Sequence, residues 1–89
     1  MKEAKYILIT HYSFDEDTPV LLFDALEDAQ VEMKRQFEEE RRIDEEENGW
    51  IVETKIDPDG MWASLTDIWY DGRDPDITTW SIHYATFCK

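Results

Sequence analysis

The sequence predicts an α+β domain of two layers, in which one helix packs on a mostly antiparallel sheet in the order β-β-α-β-β-β. Apolar side chains recur every three or four positions between residues 25 and 37, which is the period of a helix. The other apolar segments alternate at every second residue and are separated by Asp, Pro and Gly, as strands joined by turns are. With 89 residues the chain has room for one core, so residues 1–89 are predicted to form a single domain.

The first two strands precede the helix. Tyr6–Tyr12 is rich in β-branched and aromatic residues and is apolar on both alternating faces, which predicts a strand in the interior of the sheet. An acidic loop, residues 13–18, leads to Pro19, where the fixed backbone of proline ends the loop. Val20–Phe23 is predicted to form a short second strand.

The start of the helix is predicted from a capping box. Asp24 is followed three residues later by Glu27, so the two carboxylates can accept from unpaired backbone N–H groups, and the helix is expected to begin at Ala25. One apolar stripe that can lie on a sheet then follows, formed by Ala25, Leu26, Ala29, Met33 and Phe37.

The end of the helix is marked by a change in this stripe, which becomes acidic at Glu40 and Asp44. Because unpaired carboxylates are costly to bury, we expect the helix to lift away from the sheet after about Arg41 or to end there. Asn48 and Gly49 readily adopt left-handed backbone conformations and are expected to stop any helical turns that continue.

Three strands are predicted after the helix. Residues 50–56 alternate between a drier and a wetter face, and the turn at residues 57–60 should reverse the chain into a hairpin with residues 61–70. A second turn-rich loop, residues 71–76, leads to the last strand, residues 77–87.

The charge of the chain restricts its partners. There are 22 acidic residues against nine Lys and Arg, giving a net charge of −13, and no basic cluster is present. Direct binding to nucleic acid and to anionic membranes is therefore disfavoured, and a basic protein is the favoured partner. Cys88 is the only cysteine and no long apolar segment resembles a secretory signal, which predicts a cytoplasmic protein.

An acidic helix surface is the first candidate for partner binding. It consists of Glu27, Asp28, Glu32, Glu38, Glu39, Glu45 and Glu46. Carboxylates spaced along a rod can imitate phosphates, so one hypothesis is a nucleic-acid mimic that occupies the basic groove of another protein. The alternative is an ordinary solvated helix face, since Lys34 and Glu38, Glu38 and Arg42, and Arg35 and Glu39 are spaced for pairs within the helix.

An aromatic sheet face is the second candidate, for partner binding or for a homodimer. It consists of Trp62, Trp69, Tyr70, Trp80 and Tyr84. A single helix covers only one face of a sheet, so we expect several rings to remain on the uncovered face. The alternative is that these rings form the core under the helix, and a shift of one residue in strand register would exchange the two sets.

No catalytic, cofactor-binding or metal-binding residue is assigned. The acidic loops at residues 15–17, 57–59 and 71–76 do not match a calcium-binding loop, and turn formation explains their composition. His11, His83 and Cys88 match no zinc signature. The chain also contains no glycine-rich phosphate loop and no serine elbow.

Two segments resemble short bacterial proteins known only as uncharacterised families. These segments are Lys5–Asp15 and Leu22–Ala29, the second of which is a strand-to-helix junction. The resemblance implies one helix over a small sheet and implies no activity or site.

From the residues we expect a small acidic, non-enzymatic protein-binding module, such as a nucleic-acid mimic or an inhibitor of a basic or nucleic-acid-handling protein. The alternative is a small metal-dependent or acid–base enzyme that uses carboxylates from the loops flanking the last two strands.

Overall fold

The computed structural model describes residues 2–88, and the side chains of residues 5–86. Its elements in chain order are β1 (Lys2–Tyr12), β2 (Val20–Phe23), α1 (Leu26–Arg42), a π-helical turn (Ile43–Glu47), β3 (Ile51–Ile56), β4 (Trp62–Ile68) and β5 (Asp76–Cys88). The predicted order and the α+β class are confirmed, because α1 packs against a five-stranded antiparallel sheet that is open rather than closed into a barrel.

The sheet has the strand order β2-β1-β5-β4-β3, and every neighbouring pair is antiparallel. β1 lies between β2 and β5, which confirms the prediction that it is an interior strand. β3 is an edge strand, and Val52 is its only half-buried residue. The drier face predicted for this strand is therefore limited to one position.

The core lies between α1 and one face of the sheet. The helix contributes Ala29, Met33 and Phe37, as its apolar period predicts. The strands contribute Leu8, Ala63, Leu65, Trp80 and Ile82. Phe37 and Trp80 meet edge to face, with 5.7 Å between ring centroids, in the arrangement that aromatic quadrupoles favour.

The predicted capping box at the start of α1 is wrong. The helix begins at Leu26, and Ala25 is the N-cap residue with an extended backbone and no side-chain cap. The Asp24 carboxylate instead forms an ion pair with Lys5 of β1. A neighbouring cation has therefore replaced the backbone N–H groups as the partner of this carboxylate.

Of the two alternatives predicted for the end of the helix, an end near Arg41 is confirmed for the α-helical part, and lifting away from the sheet is wrong. The α-helical part ends at Arg42, but the π-helical turn continues on the sheet and Asp44 is only 2% exposed. The left-handed Gly49, with a φ of 69°, then ends the helical segment as predicted, and the Trp50 N–H donates to the Asp44 carbonyl at 2.8 Å.

The turn between β3 and β4 is attached to the helix. Gly60 has a φ of 74°, and its N–H donates to the Asp57 carbonyl at 2.9 Å. The Gln30 side chain of α1 donates to the Asp59 carbonyl at 3.2 Å. The turn requires glycine for its conformation, and a Cβ atom at Gly60 would lie 2.9 Å from Gln30 Nε2, so it would displace the flexible end of the Gln30 side chain.

We expect Gly60→Ala to be more destabilising than Gly72→Ala. Both glycines have positive φ, but a Cβ at Gly72 would have no neighbour within 4 Å. Gly72→Ala should lower the free energy of unfolding by about 1 kcal/mol through backbone strain. Gly60→Ala should lower it by about 1 kcal/mol more, because Gln30 must give up its hydrogen bond to the turn.

Urea unfolding followed by tryptophan fluorescence measures both changes. In a Gln30→Ala background the two glycine substitutions should cost the same. A difference that persists in that background would contradict the assigned contact.

Candidate functional site

A cleft of about 250 Å³ opens between the second half of α1 and the helix-covered face of β1 and β5. Its lining residues are Tyr12, Gln36, Glu39, Glu40, Ile43 and Trp80. The two strands supply the aromatic rings, and the helix supplies the carboxylates. The cleft thus combines flat apolar walls with negative charge.

A hydrogen-bond network centred on Gln36 holds one side of this cleft. Trp80 Nε1 donates to Gln36 Oε1 at 3.1 Å, and Thr10 Oγ1 donates to the same oxygen at 3.4 Å. Gln36 Nε2 donates to Glu32 Oε2 at 2.9 Å. Because Trp80 and Thr10 are buried, this network fixes the position of the amide before any ligand arrives.

The two acidic residues that line the cleft, Glu39 and Glu40, differ in their surroundings. Glu39 is paired with Arg35, whose Nη1 lies 2.8 Å from Glu39 Oε2. Within residues 5–86 no donor or cation contacts the half-buried Glu40 carboxylate. Burial raises the pKa of Glu40, and the charges of Asp44 and Glu39 raise this pKa further.

Tyr12 of β1 also lines the cleft. Partial burial raises the pKa of its phenol, and the negative charges of Glu40 and Asp15 add to the effect. The ring also packs against Phe14, with 5.4 Å between centroids. Tyr12 is therefore neutral at physiological pH and presents a positioned aromatic surface beside Glu40.

Two buried carboxyl groups lie next to the cleft, where the π-helical turn meets β4. Asp44 and Asp67 are 2% and 5% exposed and are hydrogen-bonded to each other. Within the described residues no N–H or O–H group donates to Asp44 Oδ2 or to Asp67 Oδ1. Two carboxylates can form this contact only if one of them carries a proton.

The pKa of each carboxyl group in the pair is raised, which favours its protonated form. Burial, followed by the hydrogen bond to Asp67 and its charge, raises the pKa of Asp44 to about 7. Burial also raises the pKa of Asp67, but its hydrogen bond with Asp44 opposes that rise. The nearby charges of Glu40 and Asp76 act on Asp67 in the same direction as burial.

The acidic helix surface predicted from the sequence is largely neutralised by arginines of the same helix. Arg35 Nε lies 2.7 Å from Glu32 Oε1, and Arg35 Nη1 lies 2.8 Å from Glu39 Oε2. Arg41 Nη2 lies 3.2 Å from Glu38 Oε2, and Arg41 Nη1 lies 2.9 Å from Glu45 Oε2. The hydrogen bond from Arg35, followed by the one from Gln36, lowers the pKa of Glu32 to about 2.

The remaining predicted residues of this surface, Glu27, Asp28 and Glu46, are exposed and have no ion pair within residues 5–86. Of the three predicted helix pairs, the one between Arg35 and Glu39 is confirmed. The pairs of Glu38 with Lys34 and with Arg42 do not form. Glu38 pairs with Arg41 instead, and Arg42 Nη1 lies 3.3 Å from Glu47 Oε2.

The five predicted aromatic residues do not form one surface. Trp62 lies on the sheet face away from the helix, whereas the buried Trp80 and the exposed Tyr84 lie on the helix-covered face. Trp69 packs against Trp50 at 4.7 Å and beneath the Arg73 guanidinium, and Tyr70 is exposed in the following turn. The grouping is therefore wrong, because strand alternation separates its members.

The acidic loops use their carboxylates to stabilise turns. Asp15, Asp57 and Asp71 accept hydrogen bonds from the backbone N–H groups of Asp17, Met61 and Arg73. Among the residues that the structure describes, no group of three or more His, Cys, Asp or Glu side chains is placed to hold a metal ion. His11 and His83 lie on the sheet face away from the helix, and the Cys88 side chain lies outside the described residues.

Comparison with protein-family models, with curated proteins and with solved structures found no match to this chain. No helix within residues 2–88 has the length and apolar character needed to span a membrane. The candidate site therefore rests on the geometry of this chain's own residues.

Sequence patterns contained part of the signal for the cleft. Glu40 and Asp44 continue the apolar stripe of the helix as acids, which marks them in the sequence. Asp67 follows Ala63 and Leu65 at two-residue spacing, so its position on the buried side of β4 could have been predicted. Tyr12 and Gln36 carry no local signal, because their roles depend on the approach of β1 to the helix.

We expect the shared proton to make stability depend on pH. The folded protein retains a proton on Asp44 that the unfolded chain releases near pH 4, so this stabilisation is complete below that pH and is lost as the pH rises through about 7. The contribution of this proton to the free energy of unfolding should fall by about 2 kcal/mol between pH 5 and pH 7. Asp44→Asn provides a donor to Asp67 at every pH and should remove this loss.

Chemical unfolding of the two proteins across this pH range tests the assignment, with Glu46→Gln as the control. Glu46 is an exposed acid in the same π-helical turn, so its substitution removes one charge without changing the buried pair. The wild-type and Asp44→Asn curves should diverge as the pH rises from 5 to 7, and parallel curves would show that Asp44 holds no shared proton.

Proposed function

We propose that this protein is a small acidic binding module that receives a basic side chain of a partner protein in the cleft. The observation that carries the proposal is Glu40, a half-buried carboxylate that lies beside the Tyr12 ring without a cation among the described residues. A Lys or Arg side chain placed between Tyr12 and Glu40 would supply the missing charge.

The chemistry of the cleft suits a long cationic side chain. The partly desolvated carboxylate of Glu40 offers a stronger ion pair than a fully solvated carboxylate does. Tyr12 adds an aromatic face with which a guanidinium or ammonium group can form a cation–π contact. The net charge of −13 steers a basic partner towards the module and makes its association sensitive to salt.

The ion pairs on the helix favour this mode over nucleic-acid mimicry. A mimic requires a row of free carboxylates that replaces a phosphate backbone, whereas Arg35 and Arg41 alternate with the acids along α1. A partner that inserts a single cation into the cleft needs no such row. Nucleic-acid-handling proteins remain within the proposed class, since their surfaces present exposed Lys and Arg.

The buried pair of Asp44 and Asp67 is the feature that favours the enzymatic alternative, because two carboxyl groups with one proton can perform acid–base chemistry. A general acid must lie within hydrogen-bond reach of its substrate. Both side chains are at most 5% exposed and neither lines the cleft. Their burial favours a structural role next to a binding site.

We expect the tripeptide amide acetyl-Gly-Arg-Gly to bind in the cleft of the ¹⁵N-labelled protein. Its amide shifts should map to Tyr12, Gln36 and Glu40, and its affinity should weaken as salt rises. The same peptide with citrulline in place of arginine preserves the shape and removes the charge, so it should cause no comparable shifts.

Glu40→Gln should weaken binding of the arginine peptide by about tenfold or more, which corresponds to the loss of one charge-assisted hydrogen bond. Glu46→Gln removes the same charge from an exposed position outside the cleft and should have little effect. Equal affinities of Glu40→Gln and the wild type, or equal binding of the citrulline peptide, would sink the proposal.

A further inference from the structure

The sheet face opposite α1 is uncovered. Every buried strand side chain belongs to the helix-covered face; these are Leu8, Thr10, Ala63, Leu65, Asp67, Thr78, Trp80 and Ile82. Every described strand side chain on the other face, here called the open face, is half-buried or exposed. Within the described residues, no second layer protects this side of the sheet.

A contiguous apolar patch occupies one half of the open face. It consists of Ile7, Ile9, Val20, Leu22 and Trp62. In the strand register, Leu22 is opposite Ile7 and Val20 is opposite Ile9. Ile9 and Trp62 both pair with Ser81, whose small side chain leaves space between them. The patch therefore includes residues of β2, β1 and β4, with Ser81 of β5 between Ile9 and Trp62.

The open face is also nearly free of acidic side chains. Among the strand side chains that the structure describes on this face, Glu53 is the only acid, although the whole chain has 22. Lys55 lies two residues from Glu53 on the same face, and Lys5 lies near one end, paired with Asp24. The open face is thus close to neutral in a molecule with a net charge of −13.

We propose that the open face is the interface of a homodimer, in which a second copy of this chain packs its own open face against the patch. Two copies that each carry a charge of −13 repel one another, and this neutral face is where they can approach with least repulsion. Face-to-face packing directs both α1 helices outward, which keeps the acidic layers at the greatest separation.

The size of the face suits this occupant. The five strands have 11, 4, 6, 7 and 13 residues in chain order. At about 3.3 Å per residue and a spacing of about 4.8 Å, they present an area of the order of 600 Å² per copy. Stable interfaces bury about 800 Å² per partner, so the whole open face of each copy would take part. Two sheets packed in this way lie about 10 Å apart and interdigitate their inner side chains.

The dimer proposal does not depend on the cleft proposal, but a dimer would change how many clefts one assembly presents. The cleft lies on the helix-covered side of the sheet, so dimer formation leaves it accessible. Each dimer would therefore present two clefts on opposite outer surfaces. A basic partner with two suitably spaced sites could engage both and gain avidity.

Light scattering coupled to size-exclusion chromatography, with sedimentation equilibrium over a wide range of protein concentration, tests the interface. The wild type should have twice the molar mass of one chain. Leu22→Glu should raise the dissociation constant of the dimer by about 100-fold or more, because an unpaired carboxylate would be placed in an apolar interface.

Leu21→Glu is the matched control. Leu21 is 42% exposed and Leu22 is 58% exposed, but Leu21 lies on the helix-covered face of the same strand. Leu21→Glu should therefore leave the dimer intact, and circular dichroism should confirm that both variants are folded. If Leu22→Glu does not fold, Trp62→Ser at the start of β4 replaces it, with the same expected loss of the dimer.

A wild type that is monomeric at every concentration overturns the proposal. So does a dimer that persists in folded Leu22→Glu or Trp62→Ser. Equal disruption by Leu21→Glu and Leu22→Glu would place the contact at the edge of β2 rather than on the open face, which also overturns it. Glu40→Gln should leave the molar mass unchanged, so failure of the cleft proposal and failure of the dimer proposal are distinguishable.

Discussion

The contact between α1 and one face of the sheet organises the rest of the molecule. Ala29, Met33 and Phe37 project from the helix onto Leu8, Leu65, Trp80 and Ile82, and this burial supplies the main hydrophobic stabilisation of the fold. Because side chains alternate along a strand, the same contact assigns every strand residue either to the core or to the open face. The uncovered apolar patch is thus a direct consequence of having one helix over five strands.

The continuation of this contact into the π-helical turn explains why an acidic residue is buried. An ionised Asp44 would be expelled from the sheet surface, but a protonated Asp44 can donate to Asp67 and remain inside. The π-helical turn thus places Asp44 beside Asp67, and the charge of Asp44 also raises the pKa of Glu40 in the cleft.

The charges of the protein are divided between its two sides. The helix, the turns and the cleft hold nearly all described carboxylates, and arginines neutralise several of those on α1. The open face has one acid among its described strand residues. This division gives the molecule one surface suited to cations and another suited to apolar contact, and the two can act at the same time because the sheet separates them.

The sequence by itself determined the fold class, the order of the elements, the bounds of β2, the hairpin at Asp57–Gly60 and the helix stop at Gly49, because these depend on local periodicity and turn chemistry. Only the tertiary structure decided that Asp24 pairs with Lys5, that Trp80 is buried while Trp62 is exposed, and that Asp44 faces Asp67. These outcomes depend on strand register and on contacts between residues distant in the chain, since a shift of one residue reverses the face of every strand side chain.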